Sequence, residues 1–263
     1  MKAYISRILA VAGAAVAAVA LTAMPAAAVV GGTNDTNNVH YPNVGLVYLD
    51  GQPECTGTLF RTSPAANEHN LVMTAAHCTV GQTGQFSVDF AWDSPGAHPI
   101  QSTGVAYTNP NFAFPDKLHN LNDYNQNDDV AVIVLDQNMT GITPADLPSV
   151  GQVDTLNFKT QLLTVVGYGI DNFTNSHTFT YGPRAFKDVG INTGQGSQVD
   201  ARFLKTDAGS CSGDSGGPNF LQGTSTIVAI TSLGQYPMCQ AHPAAYRIDS
   251  ASTLNFLMHP TGQ

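Results

Sequence analysis

The stretch "GSCSGDSGGP", residues 209–218, decides how the rest of the chain is read. It holds four glycines, a proline, a cysteine and Ser215, which stands between Asp214 and Gly216. Gly, Ser, Asp and Pro are the residues of ordinary surface turns, each for its own backbone reason. The same residues also build a tight loop that presents a hydroxyl nucleophile beside unpaired backbone N–H groups. A turn requires nothing else of the chain, whereas a serine nucleophile requires a base to take its proton. The remaining residues must therefore supply that base or leave the stretch a turn.

The chain begins with the basic segment "MKAYISR", an Ala-rich apolar run over residues 8–24 and "PAAA" at 25–28. A basic start, a short apolar run and small residues at an A-x-A site predict a secretory signal peptide over 1–28 rather than a membrane anchor. Cleavage after Ala28 would leave a secreted, extracellular protein starting at Val29, and the Ala-rich leader suggests a bacterial exporter. The formal net charge is −9, and loss of Lys2 and Arg7 with the leader takes it to −11. Such an acidic chain repels nucleic acid and anionic lipid, so neither nucleic acid nor, after leader removal, a membrane is an expected partner. Hydrophobic residues make up 43% of the sequence, which excludes a disordered chain. The cysteines are Cys55, Cys78, Cys211 and Cys239, an even set that in an exported chain implies two disulfides with three possible connectivities. No C-x-x-C pair and no H-E-x-x-H occurs, so no metal site is expected.

Short aliphatic or β-branched runs recur between Gly, Pro, Asn and Asp clusters at 44–49, 70–76, 86–92, 129–135, 161–169, 201–206 and 225–234. These read as strands. Helical periodicity is confined to "DSASTLNFLMH" at 249–259, with Asp249 or Ser250 as its cap and Leu254, Leu257 and Met258 on one face. The reading is all-β with a short C-terminal helix. The stretch 136–154, with two prolines and two glycines, breaks the alternation. It places a linker at 139–154 between an N-terminal half, 29–138, and a C-terminal half, 155–263, each of a size suited to a small β-barrel.

Among the histidines, His77 alone closes an apolar strand run, in "LVMTAAHC", with small residues before it and Cys78 after it. That is a histidine held in place. A neutral imidazole acting as a base needs its tautomer fixed, usually by a carboxylate. "NDDVAVIVLD" offers Asp129, adjacent to an apolar run and so drawn inward, whereas Asp128 is expected to face solvent.

"VVGG" (29–32), "TAAHC" (74–78), "DVAVIVL" (129–135) and "GDSGGP" (213–218) occur in this order along the chain. In them the chain resembles trypsin-like, chymotrypsin-fold serine proteases over essentially its whole length after the leader. The resemblance implies two six-stranded antiparallel β-barrels with the site in the cleft between them. It implies Ser215 as nucleophile, His77 as general base and acid, and Asp129 as the group that orients His77. It implies an oxyanion hole from the N–H groups of Gly213 and Ser215. It selects the disulfides Cys55–Cys78 and Cys211–Cys239. It also implies that Asp214 pairs with the free amine of Val29, a terminus that leader cleavage itself would create. No cofactor is implied, the partner is a protein or peptide substrate, and a monomer is expected.

The resemblance maps the substrate pocket to Gly209 at its floor and to Ser232, Leu233, Gly234 and Ala244 in its walls. With no carboxylate at the floor, a preference for apolar or aromatic residues before the scissile bond is expected, with Asp207 nearby and Tyr236 and Met238 at the entrance. Two departures stand out: Leu233 replaces a bulky aromatic, and "CTGT" at 55–58 replaces a pair of glycines, both bearing on the subsites. "DYNQNDD" at 123–129 lacks the glycine and glutamate of an EF-hand loop. Three Asn-x-Thr triplets, at Asn34, Asn138 and Asn172, are weak glycosylation patterns. The competing reading is a catalytically silent protein of the same fold that only binds a partner.

Overall fold

A computed structural model describes residues 28–96, 101–112, 128–170, 181–192, 202–207, 209–233, 239 and 243–262, with Leu233 described through its backbone. Residues 1–27 of the predicted leader lie outside this range, and Ala28, its predicted last residue, is the first described. So do His98, His119, Asn172, Gly234, Tyr236, Met238 and residues 123–127.

Fourteen strands follow in chain order: β1 (Thr33–Asn34), β2 (Val44–Leu49), β3 (Gln52–Arg61), β4 (Leu71–Thr74), β5 (Phe86–Asp89), β6 (Ser102–Thr108) and β7 (Ala131–Leu135), then β8 (Ala145–Asp146), β9 (Leu162–Gly167), β10 (Ala185–Gly190), β11 (Phe203–Lys205), β12 (Pro218–Leu221), β13 (Ile227–Leu233) and β14 (Ala244–Arg247). Among the described residues one α-helix, α1 (Ala251–Met258), follows β14.

The first barrel runs β2-β5-β6-β7-β4-β3 and closes where β3 pairs with β2. All of those pairings are antiparallel, and β8 adds to β3 in parallel. Closure removes the free edges that would otherwise invite pairing with other chains. It also demands close approach of neighbours: a β-carbon on Gly57 would lie 2.7 Å from Val72 Cγ1, which is why β3 carries a glycine in mid-strand. The second sheet runs β10-β9-β12-β13-β14-β11. An Ile191–Thr206 bridge, with Asn192 N–H donating to Lys205 O at 2.8 Å and Asp207 N–H to Gly190 O at 3.0 Å, brings the far ends of β10 and β11 together. β1 pairs with the start of β10, so the chain's first described residues lie on the second sheet.

One apolar cluster runs through both halves. It includes Val47, Phe60 and Val132 of the first barrel, Val166, Phe203 and Tyr246 of the second sheet, and Leu254 and Leu257 of α1. The cap of α1 is Ser250, whose hydroxyl accepts from Thr253 N–H at 3.1 Å. Asp249 is used otherwise, in bonds to Arg247 and Val153 N–H. Met258, expected on the apolar face with Leu254 and Leu257, is 41% exposed. The buried stripe is narrower than the periodicity suggested because α1 has only eight residues, with Thr253, Leu254 and Leu257 as its buried positions.

Candidate active site

Strand register assembles the first half of the site. β4 and β7 are antiparallel with Thr74 opposite Ala131, so the residues just beyond these adjoining ends meet. His77 occupies a single 3₁₀ turn, Ala76–Cys78, and Asp129 precedes β7. The Asp129 carboxylate accepts from His77 N–H with one oxygen at 2.9 Å and contacts His77 Nδ1 with the other at 2.9 Å. The Cys55–Cys78 disulfide fastens that turn to β3. A carboxylate at Nδ1 requires the proton there, which leaves Nε2 of the neutral ring as an acceptor.

Asp129 is fully buried, and the His77 side chain is 24% exposed. Burial by itself pushes the imidazole down. The charge of Asp129 and its hydrogen bond outweigh that, and the net direction is up from 6.5. Burial likewise opposes ionisation of Asp129, but the His77 charge and hydrogen bonds from His77, Ser232 and the His77 backbone hold the carboxyl below its ordinary value of 3.8. The Ser232 hydroxyl donates a short hydrogen bond to the same Asp129 oxygen that meets His77. Sequence reading placed Ser232 in the pocket wall; its hydroxyl is turned to the carboxylate.

The second half is the loop from Gly209 to Gly217. Asp214 N–H donates to Cys211 O, Gly217 N–H to Asp214 O, and Gly216 N–H to Thr231 O, the last at 2.7 Å. The N–H groups of Gly213 and Ser215 have no partner among the described residues, as a site for an oxyanion requires. Gly213 has φ +93°, and a β-carbon there would lie 2.5 Å from Tyr181 Cε1 and 3.0 Å from Gly169 Cα. Both backbone angle and space therefore restrict this position to glycine. Ser215 is partly exposed, and its hydroxyl makes no hydrogen bond with another described residue. Catalytic contacts in a ligand-free site commonly tighten only when substrate binds. The Cys211–Cys239 disulfide also forms. With sequence separations of 23 and 28 residues, each crosslink restricts the unfolded chain by about 3–4 kcal/mol in the chain-entropy account.

Asp214 is fully buried, with Gly169 N–H donating to one oxygen and Cys211 N–H to the other, both at 2.8 Å. Burial outweighs these bonds and pushes its carboxyl up to about 8. Val29 and Ala28 are buried beside Ala185, and Val30 N–H donates to Gly209 O at 2.9 Å. The N-terminal segment thus reaches the floor position of the expected pocket. Gly209 has φ +120° and no side chain, Ala244 is buried, and Asp207 is exposed beside Gly190. Asp128 accepts from Tyr246 O–H at 2.8 Å, which ties the loop before Asp129 to β14. Among the described residues, Cys55, His77 and Cys78 form the one grouping of potential metal ligands. Both sulfurs are in the disulfide and offer no thiolate.

The sequence pattern of the trypsin family matches residues 29–257. The chain belongs to the trypsin family. No curated protein matches its sequence significantly. Among solved structures it is similar to one titled HL collagenase, at TM-score 0.67 and 18% identity, covering 89% of this chain and 99% of that one. It is also similar to human heparin binding protein, at TM-score 0.64 and 18% identity, covering 89% and 96%. At such identities these neighbours show the chymotrypsin fold. Their names, one a collagenase and one a binding protein, do not decide what this member of the trypsin family does.

Proposed function

We propose that this chain is a secreted serine endopeptidase. The observation that carries the reading is the two-point contact between the Asp129 carboxylate and His77. His77 Nε2 takes the Ser215 proton as the hydroxyl oxygen attacks a peptide carbonyl. The N–H groups of Gly213 and Ser215 hold the resulting oxyanion. His77 then returns the proton to the departing amine as the C–N bond breaks, leaving an acyl group on Ser215. Water, deprotonated by His77, attacks that ester; the acyl C–O bond to Ser215 breaks, the acid leaves, and His77 returns the proton to Ser215. Asp129 keeps the proton at Nδ1 and stabilises the imidazolium throughout. Gly209 at the pocket floor brings no carboxylate, which favours apolar or aromatic residues over Lys or Arg before the scissile bond. Val29, freed by leader cleavage, supplies the ammonium for Asp214.

A binding protein of the same fold is the second reading. An anionic partner of the kind named for the heparin binding neighbour suits this chain poorly, because its net charge is −9. The test is an intact mass of the secreted protein before and after a serine-directed phosphonylating reagent. A single adduct on Ser215, absent in Ser215→Ala and accompanied there by a loss of about 10⁴-fold or more in peptide hydrolysis, is expected. A correctly processed chain that takes up no adduct would move the binding reading to the front.

A further inference from the structure

We propose that Thr56 is a positioning residue for the oxyanion loop, its side-chain hydroxyl holding Gly213 in the orientation that aims the loop's N–H groups at substrate. The proposal rests on the endopeptidase reading for its catalytic consequence, but not for its structural content.

Thr56 follows Cys55 in β3, in the "CTGT" stretch that departs from the family's glycine pair, and it is fully buried. Its three polar groups make four hydrogen bonds about the site. The N–H donates to Ser215 O at 2.8 Å. The hydroxyl donates to Gly213 O at 2.9 Å and accepts from Tyr168 N–H at 3.2 Å. The carbonyl accepts from the Thr74 hydroxyl at 2.9 Å, three residues before His77. A glycine at this place would supply only the backbone half of that set, and the contact to Gly213 belongs to the hydroxyl alone.

Gly213 needs such a partner. Its φ of +93° is open to glycine at little cost, so the chain's own stereochemistry does not hold it there. What holds it is the pair of carbonyls on either side, together with Asp214 N–H, which shares a peptide plane with Gly213 O and donates to Cys211 O at 3.1 Å. Ser212 O accepts from Ile170 N–H at 2.9 Å, and Gly213 O accepts from Thr56. With both peptide planes anchored, the Gly213 N–H has one direction left to point. Removal of the Thr56 hydroxyl would strand two buried backbone groups at once, Gly213 C=O and Tyr168 N–H. Buried backbone groups rarely remain unpaired. The Gly213 carbonyl would turn to reach water, and the convergence of the Gly213 and Ser215 N–H groups would be lost. Tyr168 immediately precedes Gly169, whose N–H holds Asp214, so the same hydroxyl joins the two segments that shape the loop.

The experiment compares Thr56→Val, which keeps the shape and loses the hydroxyl, with Thr56→Ser, which keeps the hydroxyl. For Thr56→Val, kcat on a peptide ester is expected to fall about 10- to 100-fold with KM within about threefold, part of the loss seen when one oxyanion donor is deleted. Thr56→Ser is expected to stay within about threefold of the parent. Crystal structures and amide exchange over 209–217 and at Tyr168 supply a readout that needs no activity: a rotated Gly213 carbonyl and faster exchange in Thr56→Val. An unmoved Gly213 with kcat within twofold would overturn the proposal. If the parent protein neither hydrolyses esters nor takes up the phosphonylating reagent, the endopeptidase reading fails while the Gly213 rotation still decides the role of Thr56. Should Thr56→Val not fold, Thr56→Ala against Thr56→Ser makes the same comparison.

Discussion

The guanidinium of Arg184 meets the carboxylate of Asp35 at 3.0 Å with both side chains fully buried. Arg184 also donates to Val44 O at 2.7 Å, Phe90 O at 3.1 Å, the Tyr168 hydroxyl at 3.1 Å and Asn38 Oδ1 at 2.7 Å. Asp35 in turn accepts from the N–H groups of His40 and Tyr41. One side chain thereby fastens the N-terminal segment to both halves of the molecule. Loss of one partner leaves the other charge buried and unpaired, at about 3–5 kcal/mol. Arg184→Met is expected to lower stability by that amount, measured by urea denaturation. Arg184→Met with Asp35→Asn is expected to cost less than the two single changes together. A loss under about 1 kcal/mol for Arg184→Met would show that the pair is not a structural lock.

The pH dependence of hydrolysis follows from His77. The base must be neutral, and Asp129 holds the imidazole above 6.5 despite burial. The rate constant kcat/KM is therefore expected to rise with pH through a midpoint above 6.5. The pair also fixes a stability window. His77 has a raised folded value, so its contribution is complete below 6.5 and fades as pH rises through the folded value. Asp129 has a lowered one, so its contribution is present above 3.8 and fades on acidification. The stabilisation is greatest between those two limits. An acid limb centred below 6.5 would contradict the His77–Asp129 coupling.

Asp129 and Ser232 give a graded prediction. Asp129→Asn can no longer require the proton at Nδ1 and is expected to lower kcat about 10⁴-fold with the fold retained. Ser232→Ala removes one hydrogen bond to the buried carboxylate, an interaction of about 1.5–3 kcal/mol for a charged acceptor. It is expected to raise the pH at which Asp129 protonates and to lower kcat far less than Asp129→Asn. Equal losses from the two variants would mean that Ser232, and not the carboxylate charge, governs the His77 tautomer.

What was legible in the sequence was what a short run carries by itself. β2 matches its predicted limits because "VGLVYL" is apolar throughout and bounded by turns. β1, β3, β6, β8, β10, β12 and β14 were not foreseen. β3 carries Pro53, Gly57 and three polar threonine or glutamate positions, and β14 is short and half alanine, so neither shows a strand's side-chain signature. They are strands because barrel closure supplies partners on both sides, a tertiary fact. The disulfide cysteines, and the residues proposed here as the triad, stand in short motifs. The hydroxyl of Ser232 on Asp129, that of Thr56 on Gly213 and the Tyr181 wall behind Gly213 join residues between 32 and 157 positions apart. No local pattern encodes such contacts. The departure at "CTGT" was the one local sign of the Thr56 contact.

Asp214 yields the last prediction. Its carboxyl is buried with two N–H donors and is pushed up to about 8 by burial. The folded state thus keeps a proton that the unfolded chain, at 3.8, gives up. Stability must then fall as pH rises from about 4 towards 8. A free Val29 ammonium beside the carboxylate would remove the cause, since an opposite charge favours ionisation. A chain beginning at Val29 is expected to show between pH 5 and 8 only the small fall above 6.5 that His77 brings. A chain extended by residues ahead of Ala28 is expected to lose stability over the same range, and Asp214→Asn in that extended chain should flatten the loss. Parallel slopes for the trimmed and extended chains would separate Val29 from Asp214 and place the origin of the loop's order elsewhere.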